Sequence, residues 1–371
     1  MFTTKYSEIL EQIDQVDPIN YGRTRNFIDG DVSKLSPYIS RGVISTKQVM
    51  KRTLDRGFEP NEIKKWLQEL AWRDYWQLIW IEKGNEVNSD LRHPQPDVQN
   101  HYMPKVIIEA NTGIKAIDNS IEEFYETGYL HNHVRMYIAA ICCNMGKSHW
   151  KVPAKWMYYH LKDGDWASNA LSWQWVAGSN SNKKYIANQD NINKYCNTDQ
   201  SGTFLDVPYE TFDDFYTPKT LKDLVLPELK TLLPDSKEIE IDSDKPTLIY
   251  NFYNMDPKWK EDEDANRILL LEPSIFQKYP VSENSIRFVI DLGENIPNLQ
   301  TYVGEFDELK NQFSLPDSDI YFKEHPLNNY SGNEEPRDWM FSTKGYYSSF
   351  FKFWNKAKKE LKHPAGLFDG T

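Results

Sequence analysis

The chain is poor in several things that other functional classes need. It has three cysteines in 371 residues, Cys142, Cys143 and Cys196, and no paired CxxC spacing. Neither a zinc ribbon nor a disulfide framework is indicated by that pattern. Long apolar runs are also missing. The longest, residues 136–145, is half the ~20 residues a membrane helix requires. The opening MFTTKYSEILEQI has no signal-peptide layout, so the expectation is a soluble, cytoplasmic protein. Basic charge is short as well. With 43 Lys+Arg against 55 Asp+Glu the net charge is −12, the wrong sign for gripping nucleic acid over the whole surface. The shortage is local, however. Residues 1–200 carry 24 charges of each sign, so all the excess acid lies in residues 201–371.

Aromatic residues are abundant. They make up 14% of the chain and include 12 Trp, which suggests packing around something flat. Hydrophobic residues at 39% and charged residues at 26% describe a globular chain, long enough for one large domain or two ordinary ones.

Residues 127–178 are the organising stretch. His131, Asn132, Arg135 and Met136 fall at i, i+1, i+4 and i+5, along one edge of an expected helix. Asp163-Gly164-Asp165 sets two carboxylates around a glycine, and Asn169, Trp173 and Trp175 follow. Upstream, Ser33-Lys34-Leu35-Ser36-Pro37-Tyr38 is a serine-rich turn entering a helix, offering hydroxyls and free backbone N–H groups that suit a phosphate. A helix is expected over residues 61–82, with Trp72, Trp76 and Trp80 at i, i+4 and i+8. Residues 200–245 are acidic and proline-punctuated, with a helix expected over 221–233 and a charged linker after it. Beyond, residues 247–252, 267–271, 301–303 and 320–322 read as short buried strands, with a helix behind Ser282. That alternation argues an α/β layer.

In this order and at these spacings the motifs resemble the DNA photolyase/cryptochrome family. The W/Y-x-H-N-x-x-R-M helix stands as Tyr129 to Met136, followed by D-G-D, an asparagine and W-Q-W. The segment Tyr21 to Phe27 is similar to Y-x-x-x-R-D-F, and Ser33 to Tyr38 to S-x-L-S-P-Y. Glu69 to Tyr75 resembles E-L-x-W-R-E-F. Val32 stands where the family usually has threonine, and one residue fewer separates Tyr21 from Ser33. The branch with an iron–sulfur cluster needs four cysteines and is rejected, since only Cys196 is near a suitable place.

The resemblance implies a mainly α protein: an all-helical photolyase-type FAD-binding domain over 1–205, a helical segment and linker over 206–245, and a smaller C-terminal α/β domain over 246–371. The antenna domain that normally comes first is expected to be absent. For FAD the resemblance implies Tyr21, Ser33, Lys34, Leu35, Ser36, Trp66, Asn132, Arg135, Asp163, Gly164, Asp165 and Asn169. For a UV-damaged DNA partner, single- or double-stranded, it implies Arg25, Glu69, Trp72, Arg73, Asn132, Met136 and Trp175. Glu69 and Asn169 are the implied catalytic pair, Glu69 as a protonated acid in a dry pocket. Trp173 and Trp150 are the implied electron relay, with Tyr102 or Trp156 as candidates for its outer end. Asn132 and Met136 match the pattern for cyclobutane pyrimidine dimers rather than (6-4) lesions. The implied function is light-dependent dimer splitting from reduced flavin, without a metal. The alternative is a cryptochrome-type blue-light photosensor without repair activity.

Overall fold

A computed structural model of the chain describes residues 2–362; the end of the 246–371 segment lies outside the described residues. In chain order, the helices used below are α1 (Tyr6–Gln15), α2 (Thr46–Asp55), α3 (Lys64–Lys83), α4 (Lys115–Thr127), α5 (Asn132–Ala140), α6 (Lys151–His160), α7 (Trp166–Ala177), α8 (Gln189–Cys196), α9 (Glu283–Gly293) and α10 (Phe350–Ala357). The strands are β1 (Thr247–Tyr250), β2 (Asn266–Leu271), β3 (Leu299–Val303), β4 (Ile320–Lys323) and β5 (Asn333–Glu335). The expected helices at 61–82 and behind Ser282, and the four expected strands, are all present, though β3 is mostly half-buried and β4 alternates rather than being buried throughout.

The chain forms two compact units that do not follow a single cut near residue 205. One contains the chain up to Ile19, Ser33–Glu82 and the chain from Lys230 onward; the other contains Asn20–Val32 and Lys83–Leu229.

In the first unit the five strands form one parallel sheet in the order β3-β2-β1-β4-β5. β1 and β2 are buried along their whole length, as expected of strands covered on both faces. Ile249, Ile268 and Leu270 pack with Tyr302, Phe306, Leu309, Ile320 and Phe322. The order is that of a doubly wound sheet, whose ligand crevice lies beyond the carboxyl ends of β1 and β4. Here that place is filled by the chain itself. The Arg41 guanidinium lies 3.8 Å from the Phe252 ring centroid and donates to the Phe252 carbonyl at 3.2 Å. Tyr253 stacks on the buried His325 at 4.2 Å, and Trp80 meets the same imidazole edge-on. Gly42 is required at its position: its φ is +65°, and a Cβ there would come within 2.5 Å of the Tyr253 carbonyl oxygen.

The second unit is helical, built from α4 to α8 with connecting turns. One expectation fails at its edge. Residues 221–233 are not a helix. Leu224–Val225 pair antiparallel with Met103–Pro104, and the chain past them has no regular element up to residue 242. Pro227 removes a backbone donor and would clash one turn back in a helix, so the leucines beyond it are carried on backbone without a regular element.

Within the first unit, Asp74 on α3 accepts from the Met340 N–H at 2.8 Å and the Thr46 hydroxyl at 2.9 Å. Burial raises its pKa from 3.8 to about 6, against the pull of those two donors and the charge of Arg337. A raised carboxyl contributes stability that is full below the unfolded value and lost as pH rises through the folded one. Unfolding free energies of wild type and Asp74→Asn across pH 4 to 8 check this. The wild type should lose up to about 2–3 kcal/mol relative to the variant over that window; a flat difference would mean that Asp74 stays ionised.

Candidate flavin site

The second unit carries the H-N-x-x-R-M motif at the start of α5. His131 is the N-cap, its Nδ1 accepting from the His133 N–H at 3.2 Å. Burial, with the charges of His133 and Arg135, lowers its pKa to about 4, so it is neutral near pH 7. From there the helix sorts its faces. Val134, Tyr137 and Ile138 are buried, Asn132 is exposed, and Arg135 and Met136 are half-buried.

Arg135 is fixed from two directions. Its Nε donates to the Leu130 carbonyl at 2.8 Å, and its Nη2 reaches both Asp163 oxygens at 3.0 and 2.9 Å. The Asp163 side chain is 5% exposed and that of Arg135 22%, so the pair lies well inside the range where partners matter. Gly164 makes the turn possible. A Cβ there would sit 2.9 Å from the Leu161 carbonyl oxygen and 3.1 Å from that of Tyr158. Asp165 caps α7, accepting from the Ser168 N–H at 2.8 Å, the usual role of aspartate at this position.

Along α7 the sorting repeats. Asn169 is buried and gives one amide hydrogen to the Ala154 carbonyl at 2.8 Å. Trp173 is buried, whereas Trp175 is 45% exposed. Trp150 is buried, with its indole N–H on Asp90 at 2.7 Å and its ring 6.4 Å from Trp166. Among the described residues no ring contact joins Trp150 to Trp173. Tyr102 is half exposed, with no ring contact among the described residues, and Trp156 belongs to a separate cluster with Tyr125 and His160. Tyr21 is half-buried on the short helix Pro18–Thr24, and Arg25 donates to the Gly22 carbonyl at 3.1 Å.

The remaining expected residues belong to the first unit. Ser33 accepts from the Leu35 N–H at 3.4 Å, and Lys34 takes a left-handed φ of +52°. Leu35 is the N-cap of the short helix Ser36–Ser40 and is buried. Trp66 is buried with its indole N–H on the Thr53 hydroxyl at 3.2 Å. Glu69 departs from expectation: its side chain is 30% exposed and pairs with Lys65 at 3.3 Å. An exposed i, i+4 ion pair is a different setting from a protonated acid in a dry pocket. Arg73 is half-buried. Trp72 departs too, because Phe350 of α10 stacks on it with centroids 3.8 Å apart and planes 10° from parallel. Sequence reading passed over α10, although Ser349 followed by Phe350, Phe353 and Trp354 is a capped helix with an aromatic face.

Residues 66–208 match the FAD binding domain of DNA photolyase. The deoxyribodipyrimidine photo-lyase of Vibrio cholerae is 28% identical over 168 residues, covering 43% of this chain and 36% of that protein. That of Thermus thermophilus is 31% identical over 165 residues, covering 43% and 38%. The chain thus spans little more than a third of the length of these relatives. The solved cryptochrome of Synechocystis is 21% identical, with 52% of this chain and 44% of that one covered at a TM-score of 0.45, too slight a likeness to argue from. Residues 66–208 thus form a domain similar to the FAD binding domain of DNA photolyase. FAD is its cofactor.

The donor set fits that group. In the helical unit the Asn132 amide and Arg135 Nη1 have no partner among the described residues. A fixed guanidinium and an amide suit the carbonyl-rich edge of a flavin ring. No group of His, Cys, Asp and Glu able to hold a metal occurs among the described residues, nor any helix long and apolar enough to cross a membrane.

Proposed function

We propose that the chain is a light-dependent DNA photolyase that splits cyclobutane pyrimidine dimers in UV-damaged DNA. One observation carries the reading. Asp163 and Asp165 in the turn before α7 and Asn169 on α7, assigned to the cofactor, are buried and hydrogen-bonded, whereas Met136 and Trp175, assigned to the lesion, and Asn132, assigned to both, are exposed or half-exposed. A framework that holds one ligand and presents polar and aromatic groups to another has this division.

Bound in its reduced form, the flavin supplies the photoexcited electron that no side chain provides. Asn132 and Arg135 hold its polar edge, with Asp163 keeping Arg135 in place; Tyr21, Ser33, Lys34, Leu35, Ser36, Trp66, Gly164, Asp165 and Asn169 complete the holding set. A poorly stacked damaged base costs only a few kcal/mol to unstack. Trp72 and Trp175 supply flat faces for it, each such stack contributing about 1–3 kcal/mol, while Arg25 and Arg73 supply charge for the phosphates. Glu69 supplies a hydrogen bond to the base edge. Trp173 and Trp150 form the electron relay, with Trp150 lying against Trp166.

The cryptochrome-type photosensor remains the second reading, and the stack of Phe350 on Trp72 favours it, because a sensor has no need of an open lesion face. Both readings are separated by irradiated oligothymidylate incubated with the FAD-loaded chain under blue light and in the dark. Dimers should disappear only in the light, and Glu69→Ala should keep its flavin while lowering the yield per photon roughly tenfold, the scale of one lost charge-assisted hydrogen bond. Equal dimer content in light and dark would leave the photosensor. Trp173→Phe should abolish photoreduction of oxidised flavin, while chemically reduced protein still repairs. Photoreduction at the wild-type rate would remove Trp173 from the relay.

A further inference from the structure

The residue that sits on Trp72 has no role in the activity proposed above. Phe350 is 2% exposed, and its ring is parallel to the indole at 3.8 Å, the separation at which a nucleobase would stack. Its helix, α10, buries Phe350, Phe353, Trp354 and Ala357 and leaves Phe351 61% exposed. The buried face meets α3 at Trp72 and Tyr75, both of which carry ring contacts to it.

Two features make this packing replaceable. Aromatic side chains prefer offset or edge-to-face contacts to a parallel sandwich, so Phe350 on Trp72 is a weaker stack than a polar heterocycle offers. The Trp354 indole N–H is also buried without an acceptor among the described residues, which penalises the packed position of α10. Ahead of α10, the Met340 N–H is held by Asp74 of α3 at 2.8 Å. The Tyr75 hydroxyl donates to the Tyr347 carbonyl at 3.1 Å, and Glu360 gathers the N–H groups of Ser342 and Thr343 with the Thr343 hydroxyl. The Glu360 contacts tie the segment to itself rather than to α3.

We infer that Phe350 is an internal competitor for base stacking on Trp72. α10 covers that face in the free chain and must leave it before a flipped pyrimidine stacks there. Phe350 thereby sets a threshold for binding. A base that leaves its own stack easily displaces it, and a well-stacked base does not. The inference rests on the photolyase reading of Trp72.

The test measures, in the dark and with the FAD-loaded full chain, the Kd for an oligothymidylate carrying one cyclobutane dimer and for the same oligonucleotide undamaged. Phe350→Ala, and Phe350→Leu as the variant that keeps apolar bulk on α10, should bind the dimer at least about fivefold tighter than wild type, the low end of one base–aromatic stack. Adding Trp72→Ala should erase the gain. Folded variants with wild-type Kd would make Phe350 ordinary core packing and overturn the inference, as would failure of both variants to fold. If wild type and variants alike bind damaged and undamaged strands equally, the photolyase reading itself fails and takes this inference with it. A wild type that prefers the dimer, with no gain in either variant, removes the inference alone.

Discussion

The ion pair between Arg135 and Asp163 is the constraint from which the arrangement of α5 and α7 follows. A carboxylate as buried as Asp163 is tolerated only with a partner, and removing one member of such a pair costs about 3–5 kcal/mol because the other is left charged and dry. The pair therefore fixes the start of α5 against the turn before α7, and two further requirements follow from that turn. Gly164 must lack a side chain because two carbonyl oxygens crowd it, and Asp165 must cap α7. With both ends set, Asn132 on α5 and Trp175 on α7 face outward, and Met136 is half-buried.

The sheet of the other unit shows the same economy applied to a different end. Its strand order creates the crevice in which doubly wound sheets bind ligands, yet Arg41, Gly42 and Trp80 fill it with the chain's own atoms. The α/β layer thus serves as a packing partner for helices that precede it by some 200 residues in sequence, as in the Arg41 to Phe252 bond, whose members are 211 residues apart. α10 extends that role to Trp72.

Much of this was legible in the sequence because it rests on local rules. The period-3.6 pattern of α5, the aspartate–glycine turn and the buried runs of β1 and β2 each depend on neighbours a few residues away. What was not legible depends on distant residues. Compact units that join residues 33–82 to residues beyond 230 are invisible to composition, since contacts such as Asp74 to Met340 span 266 positions. Glu69 was expected in a dry pocket on family grounds, but Lys65, four residues before it, offers the nearer partner. The absence of a helix at 221–233 is legible locally, because Pro227 sits in the middle of that stretch.

The account stands or falls on the ion pair as the flavin anchor. The double variant Arg135→Met with Asp163→Leu removes both charges together, a change that buried pairs often tolerate without loss of stability. Flavin affinity of the folded double variant, measured by titration with FAD, is the decisive quantity. The account predicts circular dichroism like that of the wild type and FAD affinity lower by at least about tenfold, or 1.4 kcal/mol. A folded double variant that binds FAD as tightly as the wild type would contradict it.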